Sequence, residues 1–310
     1  MSQASQVKDF FAFNTFNRVT AYTDDPAALE SVVGTCERFE RLFSRTLPGS
    51  QIHRINAAGG ARVDVAPEVA AFVASALAYC ERSGGLFDIT MGGVVELWDF
   101  YAQTIPERSA VAEALRHVDY RGVHVEGTGV WLDDPRARID LGGIAKGYIA
   151  DELVRQLKES GVASGIVNLG GNVAVLGEKP DGSAWRVGLR TPVPLSAQDG
   201  EGHFASLLLR DCSVVTSGIY ERAFTRGGVL FHHILDPKTG FPAVSDLLGA
   251  SIVSKRSLDA DGYSTALVIM GLDKALDFVE GDADIEAVLV TKAGEVYASS
   301  AIGGAIPFEM

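Results

Sequence analysis

Residues 165–176, with the sequence GIVNLGGNVAVL, decide the fold class because two short apolar runs flank a pair of glycines. Short runs rich in Val, Ile and Leu favour β-strands, and the glycine pair between them favours a tight connection. Further short strands are predicted at 185–189, 205–209 and 214–216, and a terminal hairpin at 287–291 and 295–298. Successive short strands joined by tight turns are typical of antiparallel sheets.

Helices are predicted in separate groups on both sides of these strands. A strand at 13–23 leads into a helix from Pro26 to about Phe43, and a second helix at 67–82 stops at Gly84-Gly85. Strands around Val123 and Val130 pair through a glycine turn. Further helices are predicted from about Gly143 to just before Gly161, in the region of Asp259, and at 272–279. The pattern predicts an α+β fold with antiparallel sheets covered by helices. We expect a single domain over residues 1–310, with a possible division into two lobes near the polar segment 177–202.

Composition limits the classes of partner. The chain has 310 residues, 47% of them hydrophobic and 22% charged, with a formal net charge of −13. This is an ordinary globular composition whose acidic surface would repel nucleic acid and anionic membranes. Three widely spaced cysteines argue against a disulfide framework, and no signal peptide or membrane span is recognisable. We therefore expect a cytoplasmic protein without nucleic-acid binding or membrane insertion.

A candidate metal site lies in residues 259–267, DADGYSTAL. Asp261 and Thr265 are four residues apart, so that on a helix they share one face. A carboxylate and a hydroxyl there suit Mg²⁺, which usually keeps waters and adds substrate phosphates. The same residues also suit an ordinary helix start, with Asp259 as cap and Asp261 beside the positive end of the helix.

A candidate phosphate site lies in residues 139–147, IDLGGIAKG, where a strand end and a glycine pair precede a helix start. Amides at a helix N-terminus favour anions, and Lys146 adds a positive charge in the first turn. The alternative is a tight strand-to-helix corner with a solvated lysine. Both interpretations stay open on the motif alone.

Two further segments could contact a ring system or take part in catalysis. Leu86, Phe87 and Asp88 follow a glycine-terminated helix, and Phe87 could pack on a ring or in the core. His233 precedes the turn Asp236-Pro237-Lys238-Thr239-Gly240, and a half-buried strand histidine is the alternative to a catalytic one. Gly170-Gly171 and Thr216-Ser217-Gly218 are also consistent with backbone packing alone.

In this order the segments resemble the ApbE family of FAD:protein FMN transferases, from about Phe13 to the C-terminus. The motifs that carry the resemblance are 87–90 with Trp98, 140–147, 170–171, 216–218 with Tyr220, 233–240, and 260–265. The resemblance implies a T-fold-like architecture and a Mg²⁺-dependent enzyme with FAD as substrate. Such an enzyme transfers FMN to a threonine of a target flavoprotein through a phosphoester bond and releases AMP.

The resemblance also implies residue roles. Asp261, Thr265, the Gly143 carbonyl and Ser264 are implied as metal ligands, and Ser264 stands at a position that is acidic in some relatives. Asp140, Lys146, Leu86, Phe87 and Asp88 match FAD-contacting positions, Leu235 matches a residue lining the flavin pocket, and His233 matches a histidine that assists the chemistry.

Two departures concern the flavin end. Phe13-Asn14-Thr15 stands where the family usually has Met-Gly-Thr, and Thr46 stands where an aromatic residue often packs on the flavin. We expect Phe13 to take over that contact.

Sequence leaves two other functions open. Water in place of the acceptor threonine would make the protein a Mg²⁺-dependent FAD pyrophosphatase that yields FMN and AMP. A flavin-binding or flavin-delivery protein without catalysis is the third hypothesis. The presence of Asp261, Thr265 and Lys146 argues against it.

Overall fold

The computed structural model describes residues 4–25, 27–192 and 202–310. Pro26 and most of the loop predicted at 192–202 lie outside these residues. Within them the chain forms two compact units. The first unit consists of the described residues within Met1–Glu40, Ala145–Gly218 and Asp246–Met310, and the second of Arg41–Ile144 and Ile219–Ser245.

The α+β prediction is confirmed, because helices alternate with groups of strands that pair antiparallel within every sheet of the described chain. The helices are α1 Ala27–Phe43, α2 Gln51–Ala57, α3 Pro67–Arg82, α4 Gly92–Val95, α5 Arg108–Leu115, α6 Ala145–Glu159, α7 Ser257–Met270 and α8 Leu272–Glu280. The strands are β1 Ser5–Ala12, β2 Thr15–Tyr22, β3 Val63–Asp64, β4 Val123–Glu126, β5 Gly129–Leu132, β6 Gly165–Leu169, β7 Asn172–Leu176, β8 Trp185–Arg190, β9 His203–Leu209, β10 Ser213–Gly218, β11 Ala223–Arg226, β12 Val229–His232, β13 Leu247–Ser254, β14 Ile285–Thr291, β15 Val296–Ala298 and β16 Phe308–Glu309.

The first unit is built on an eight-stranded sheet in the order β1-β2-β6-β7-β10-β13-β14-β15. A smaller sheet, β16-β9-β8, packs on one face through a cluster that includes Val173, Val214, Val253, Trp185 and Leu207. Helix α7 contacts β7, β10 and β13 and also packs against α6 and α8. Most of its residues from Ser257 to Val268 are buried, so that α7 is a core helix rather than an amphipathic surface helix.

The second unit contains the three-stranded sheet β3-β5-β4, the hairpin β11-β12 and helices α2 to α5. One buried cluster of this unit consists of Met91, Val94, Trp98 and Leu235, with partly buried aromatic residues around it. None of the helices that the structure describes is long and apolar enough to cross a membrane.

The strand predicted at 13–23 is confirmed as β2, Thr15–Tyr22, but β1, which precedes it and pairs with it in a hairpin, was not predicted. Phe13 and Asn14 make its turn, and both have φ of +55°. The left-handed conformation is uncommon at non-glycine residues, and no glycine stands at these positions to predict a turn.

The glycine pair at 170–171 is explained by backbone conformation and packing, the interpretation that the sequence allowed. Gly170 has φ of +59°, and a Cβ atom there would lie 2.5 Å from Thr15 Cγ2. Gly171 has φ of +97° and donates its N–H to Asn168 Oδ1 at 2.9 Å. Backbone conformation and contact with β2 thus account for both residues.

Candidate active site

The carboxylate of Asp261 lies inside the first unit, on α7, with only 4% of the residue exposed. Its Oδ2 atom accepts a hydrogen bond from the backbone N–H of Gly147 on α6 at 2.7 Å. Burial raises the pKa of Asp261, while the Lys146 charge, the Gly147 amide and the Asn172 side chain act to lower it. A carboxylate that is costly to ionise in isolation is well suited to neutralisation by a cation.

Three hydroxyl groups lie on or against the turn of α7 that follows Asp261. Thr265 follows Asp261 by about one helical turn on α7, as predicted, and remains half-buried. Ser217 Oγ, at the end of β10, is 2.8 Å from Ser264 Oγ and 3.3 Å from Thr265 Oγ1. Ser264 is fully buried and donates to the Asp261 carbonyl oxygen at 3.1 Å. The first unit therefore gathers one carboxylate and three hydroxyls around one turn of α7.

This donor set fits a hard cation that takes only part of its ligands from the protein. Carboxylate and hydroxyl oxygens suit Mg²⁺, which commonly keeps waters and binds substrate phosphates. No group of three or more His, Cys, Asp or Glu residues in the described parts of the chain is arranged to hold a metal ion. A cation at Asp261 would therefore take its further oxygen atoms from hydroxyls, water or a ligand.

Gly147 brings α6 and α7 into close contact. A Cβ atom at this position would lie 2.5 Å from the Ser257 carbonyl oxygen and 2.6 Å from Asp261 Cβ. The Gly147 N–H is donated to Asp261, so this amide does not serve the phosphate role that the helix start suggests. Lys146, the preceding residue, supplies the positive charge that acts on Asp261.

In the second unit, Asp140 is fixed by a basic residue that sequence analysis missed. Asp140 Oδ1 accepts from the Gly142 N–H at 2.8 Å, and Oδ2 is 2.9 Å from Arg45 Nε. Arg45 Nη1 also lies 2.9 Å from Glu96 Oε1. Arg45 and Asp140 are 95 positions apart by residue number, and nothing in the local pattern around Arg45 signals the pair. The geometry gives Asp140 a positive neighbour that anionic groups of a ligand could also use.

The segment Leu86–Asp88 is held tightly within the second unit. The Phe87 ring packs against Gly143, where an added Cβ would lie 3.2 Å from Phe87 Cε2. The Asp88 carboxylate accepts from Thr90 N at 2.7 Å, Thr90 Oγ1 at 2.6 Å and Tyr120 N at 3.2 Å. Burial raises the pKa of Asp88, and these hydrogen bonds oppose that shift. Asp88 thus fixes the shape of this loop.

The motif at 233–240 is joined to Trp98 in the second unit. His233 follows β12 and donates its backbone N–H to the Arg222 carbonyl at 3.1 Å. Leu235 is 7% exposed and packs in the cluster with Trp98. Trp98 Nε1 donates to the Gly240 carbonyl at 3.0 Å and so holds the turn that begins at Asp236. Two motifs far apart in sequence therefore form one structural element.

The predicted residues are distributed over both units. Lys146, Asp261, Ser264 and Thr265 lie together in the first unit, and Phe13 lies in the β1–β2 turn of the same unit. Gly143, Asp140 and the 86–88 segment belong to the second unit, as do His233 and Leu235. Thr46 is exposed in the loop between α1 and α2, where its hydroxyl lies 3.3 Å from Ser44 Oγ.

Comparison with known proteins identifies the family. The model of the ApbE family matches residues 13–289. A FAD:protein FMN transferase from Treponema pallidum is 37% identical over 93% of this chain and 85% of its own length.

Solved structures agree in fold. The ApbE protein of Thermotoga maritima has a TM-score of 0.88 and 31% identity, with 96% of this chain and 98% of that chain covered. The apo flavinyl transferase ApbE of Pseudomonas stutzeri has a TM-score of 0.86 and 25% identity over 98% of this chain and 97% of its own. The predicted fold class and the predicted resemblance are both confirmed, and this chain belongs to the ApbE family.

Proposed function

We propose that this protein is a FAD:protein FMN transferase that uses Mg²⁺ to transfer FMN from FAD to a threonine hydroxyl of a target flavoprotein, with release of AMP. Membership in a family whose relatives carry the name FAD:protein FMN transferase supports the reaction class. The observation that carries the metal part is the buried Asp261 carboxylate, with the Thr265 hydroxyl one helical turn away and Lys146 nearby.

Asp261 and Thr265 would be the side-chain ligands of the cation, and the Gly143 carbonyl would be a further ligand on the strength of the family resemblance. Ser264 would contribute least, because its buried hydroxyl is already bonded to the Asp261 carbonyl and lies 2.8 Å from Ser217 Oγ. The phosphate oxygens of FAD and water would complete the coordination, as is usual for Mg²⁺.

The reaction depends mainly on the positioning of the acceptor hydroxyl and on neutralisation of the phosphate charge. The threonine oxygen attacks the FMN phosphorus, the bond from that phosphorus to the bridging oxygen breaks, and AMP leaves with the electron pair. Bound Mg²⁺ would stabilise the charge on the phosphates and on the leaving AMP. Lys146 would hold a further phosphate charge, and His233 would accept the proton of the threonine hydroxyl, a task suited to imidazole near neutral pH.

The flavin and the rest of FAD would be held by Leu86, Phe87, Asp88, Asp140 and Leu235, with Phe13 as the aromatic residue that replaces the one missing at Thr46. The tight packing of Phe87 against Gly143 and the hydrogen bonds of Asp88 support a preformed loop rather than one that orders on binding. Phe13→Ala should weaken FAD binding, measured by quenching of flavin fluorescence, and unchanged affinity would exclude this contact.

The test combines the protein with FAD, Mg²⁺ and an acceptor flavoprotein domain that contains a candidate threonine. Fluorescent acceptor together with AMP is the expected result. Asp261→Asn should abolish Mg²⁺-dependent AMP release, whereas Asp259→Asn, a carboxylate of the same helix outside the ligand set, should retain it. Turnover of Asp261→Asn with the Mg²⁺ dependence of the unaltered protein would refute the metal assignment.

The same experiment separates the other functions. Free FMN with AMP and an unlabelled acceptor would identify a Mg²⁺-dependent FAD pyrophosphatase. FAD that binds but stays intact would identify a non-catalytic flavin-binding protein.

A further inference from the structure

Helix α7 has no cap of its own at its N-terminus. The N-cap residue Arg256 makes no side-chain capping hydrogen bond. The first amides of a helix lack intrahelical acceptors, and leaving them unbonded in the interior is costly. In α7 these are the N–H groups of Ser257, which is fully buried, and Leu258, which is 3% exposed.

Another helix supplies the acceptors. Asp151 on α6 accepts the Ser257 N–H at Oδ1, at 2.7 Å, and the Leu258 N–H at Oδ2, at 3.0 Å. Both carboxylate oxygens are therefore used by one helix terminus, where a negative charge is also favoured by the helix dipole. Arg256 and Asp259 are the charged groups that act on Asp151, with opposite effects on its pKa.

Asp151 acts together with Gly147, one turn earlier on the same face of α6. Gly147 donates its N–H to Asp261 Oδ2, and Asp151 receives the amides of the turn that precedes Asp261. Residues four apart on a helix lie above one another. Two attachments one turn apart fix both the rotation of α7 and its position along α6, and with them the orientation of the Asp261 carboxylate.

A second polar contact holds the same end of α7 from the sheet. Ser257 Oγ donates to Asn172 Oδ1 on β7 at 2.6 Å, and Ser213 Oγ on β10 is 2.9 Å from Ser257 Oγ. These hydrogen bonds hold the Ser257 side chain and do not involve the Leu258 amide. Among the residues that the structure describes, only Asp151 accepts from both terminal amides and belongs to the helix that also bonds Asp261.

We infer that Asp151 is a positioning residue that sets the geometry of the Asp261 and Thr265 metal ligands through the N-terminus of α7. The inference rests on the proposed function, because it concerns the cation assigned to those ligands. Groups that orient a metal ligand through a hydrogen-bond network commonly change metal affinity by about 10- to 100-fold when they are replaced.

The test compares Asp151→Ala, Asp151→Asn and the control Glu152→Gln in the full-length protein. Glu152 is the next residue on α6, and its carboxylate pairs with Arg155 at the surface. Mg²⁺ is titrated while FAD binding is followed by flavin fluorescence, and the Mg²⁺-induced rise in melting temperature is measured as a second readout independent of catalysis.

We expect half-saturation of Asp151→Ala to need at least about ten times more Mg²⁺, while FAD affinity at saturating Mg²⁺ changes by less than about twofold. Asp151→Asn keeps one acceptor oxygen and should be intermediate, and Glu152→Gln should match the unaltered protein. If Asp151→Ala does not fold, Asp151→Asn gives the same comparison with nearly the same side-chain shape.

Lower melting temperatures with unchanged Mg²⁺ half-saturation would overturn the inference, since Asp151 would then only stabilise the fold. If the unaltered protein shows no response to Mg²⁺ in either readout, the metal part of the proposed function fails first, and this inference fails with it.

Discussion

Replacing Gly147 by alanine should destabilise the protein, although alanine is the better helix former. Glycine in a helix interior costs about 0.5–1 kcal/mol relative to alanine, so substitution by itself would stabilise α6. At this position, however, the new methyl group would lie 2.5 Å from the Ser257 carbonyl oxygen, 2.6 Å from Asp261 Cβ and 2.9 Å from Leu258 Cα.

Two of these atoms belong to the backbone of α7, and rotation of a side chain cannot relieve the clash. Overpacking of this kind typically costs about 1–3 kcal/mol, because helices must move apart. The net effect should be a loss of up to about 2 kcal/mol in the free energy of unfolding, after the gain in helix propensity is subtracted. Separation of α6 from α7 should also lengthen the Gly147–Asp261 hydrogen bond and weaken the response to Mg²⁺.

Gly34→Ala is the matched control. Gly34 lies in α1, and a Cβ atom there would have no other atom within 4 Å. This variant should gain about 0.5–1 kcal/mol from helix propensity alone. Both variants are unfolded with urea and followed by circular dichroism, and the difference between them should be about 1–3 kcal/mol, equal to the cost of the clash. A Gly147→Ala protein as stable as Gly34→Ala would refute the close packing of the two helices.

Three other predictions concern the turn, the tryptophan and the buried acid. Asn14→Gly should raise the free energy of unfolding by up to about 1 kcal/mol, because φ of +55° suits glycine better than asparagine; a loss of stability would contradict the turn geometry. Trp98→Phe removes the 3.0 Å hydrogen bond to the Gly240 carbonyl and should lower the free energy of unfolding in urea by about 1–3 kcal/mol. An unchanged free energy of unfolding would show that water satisfies this carbonyl and would contradict the prediction. Burial raises the pKa of Asp151 to about 6, above its ordinary 3.8, so the folded state binds this proton more readily than the unfolded state. Its contribution to stability should therefore be present at low pH and lost as pH rises through about 6. Between pH 5 and pH 7 the loss should be about 1 kcal/mol, measured as the stability difference between the unaltered protein and Asp151→Asn; a pH-independent difference would contradict it.

Periodicity was sufficient for the long helices. The spacing of Ile149, Leu153 and Leu157 predicts one apolar face, and all three residues are buried on α6. The Gly84-Gly85 stop after α3 is likewise a local signal that the structure bears out. These elements depend on residues close together in sequence, and a local pattern therefore identifies them.

Strand β13 was not predicted, although it is in the middle of the eight-stranded sheet. All eight of its residues, Leu247–Ser254, are buried, so the strand shows no alternation between apolar and polar positions. Gly249 and two serines interrupt the apolar run, and only pairing with β10 and β14 makes the segment a strand. This strand therefore depends on the two strands that pair with it and cannot be identified from its own sequence pattern.

The candidate site also combines features that the local sequence predicts with features that only the fold brings together. The i, i+4 spacing of Asp261 and Thr265 could be seen in sequence because both residues belong to one helix. The pairing of Arg45 with Asp140 and the capping of α7 by Asp151 could not, because the partners are joined only by the fold. The spacing of Gly147 and Asp151 was visible, but its meaning depends on a second helix packed against it.

The burial of α7 has a consequence for how such a protein can diversify. The proposed side-chain ligands of the cation lie on α7, which is enclosed by α6, α8 and three strands. Unlike loop residues, they cannot be substituted or moved without disturbing the core. Exposed side chains such as Phe16, at 82% exposure, carry no such restriction. If the proposed function holds, related proteins can change their acceptor by surface substitutions, while the proposed cation ligands are conserved together with the core that encloses them.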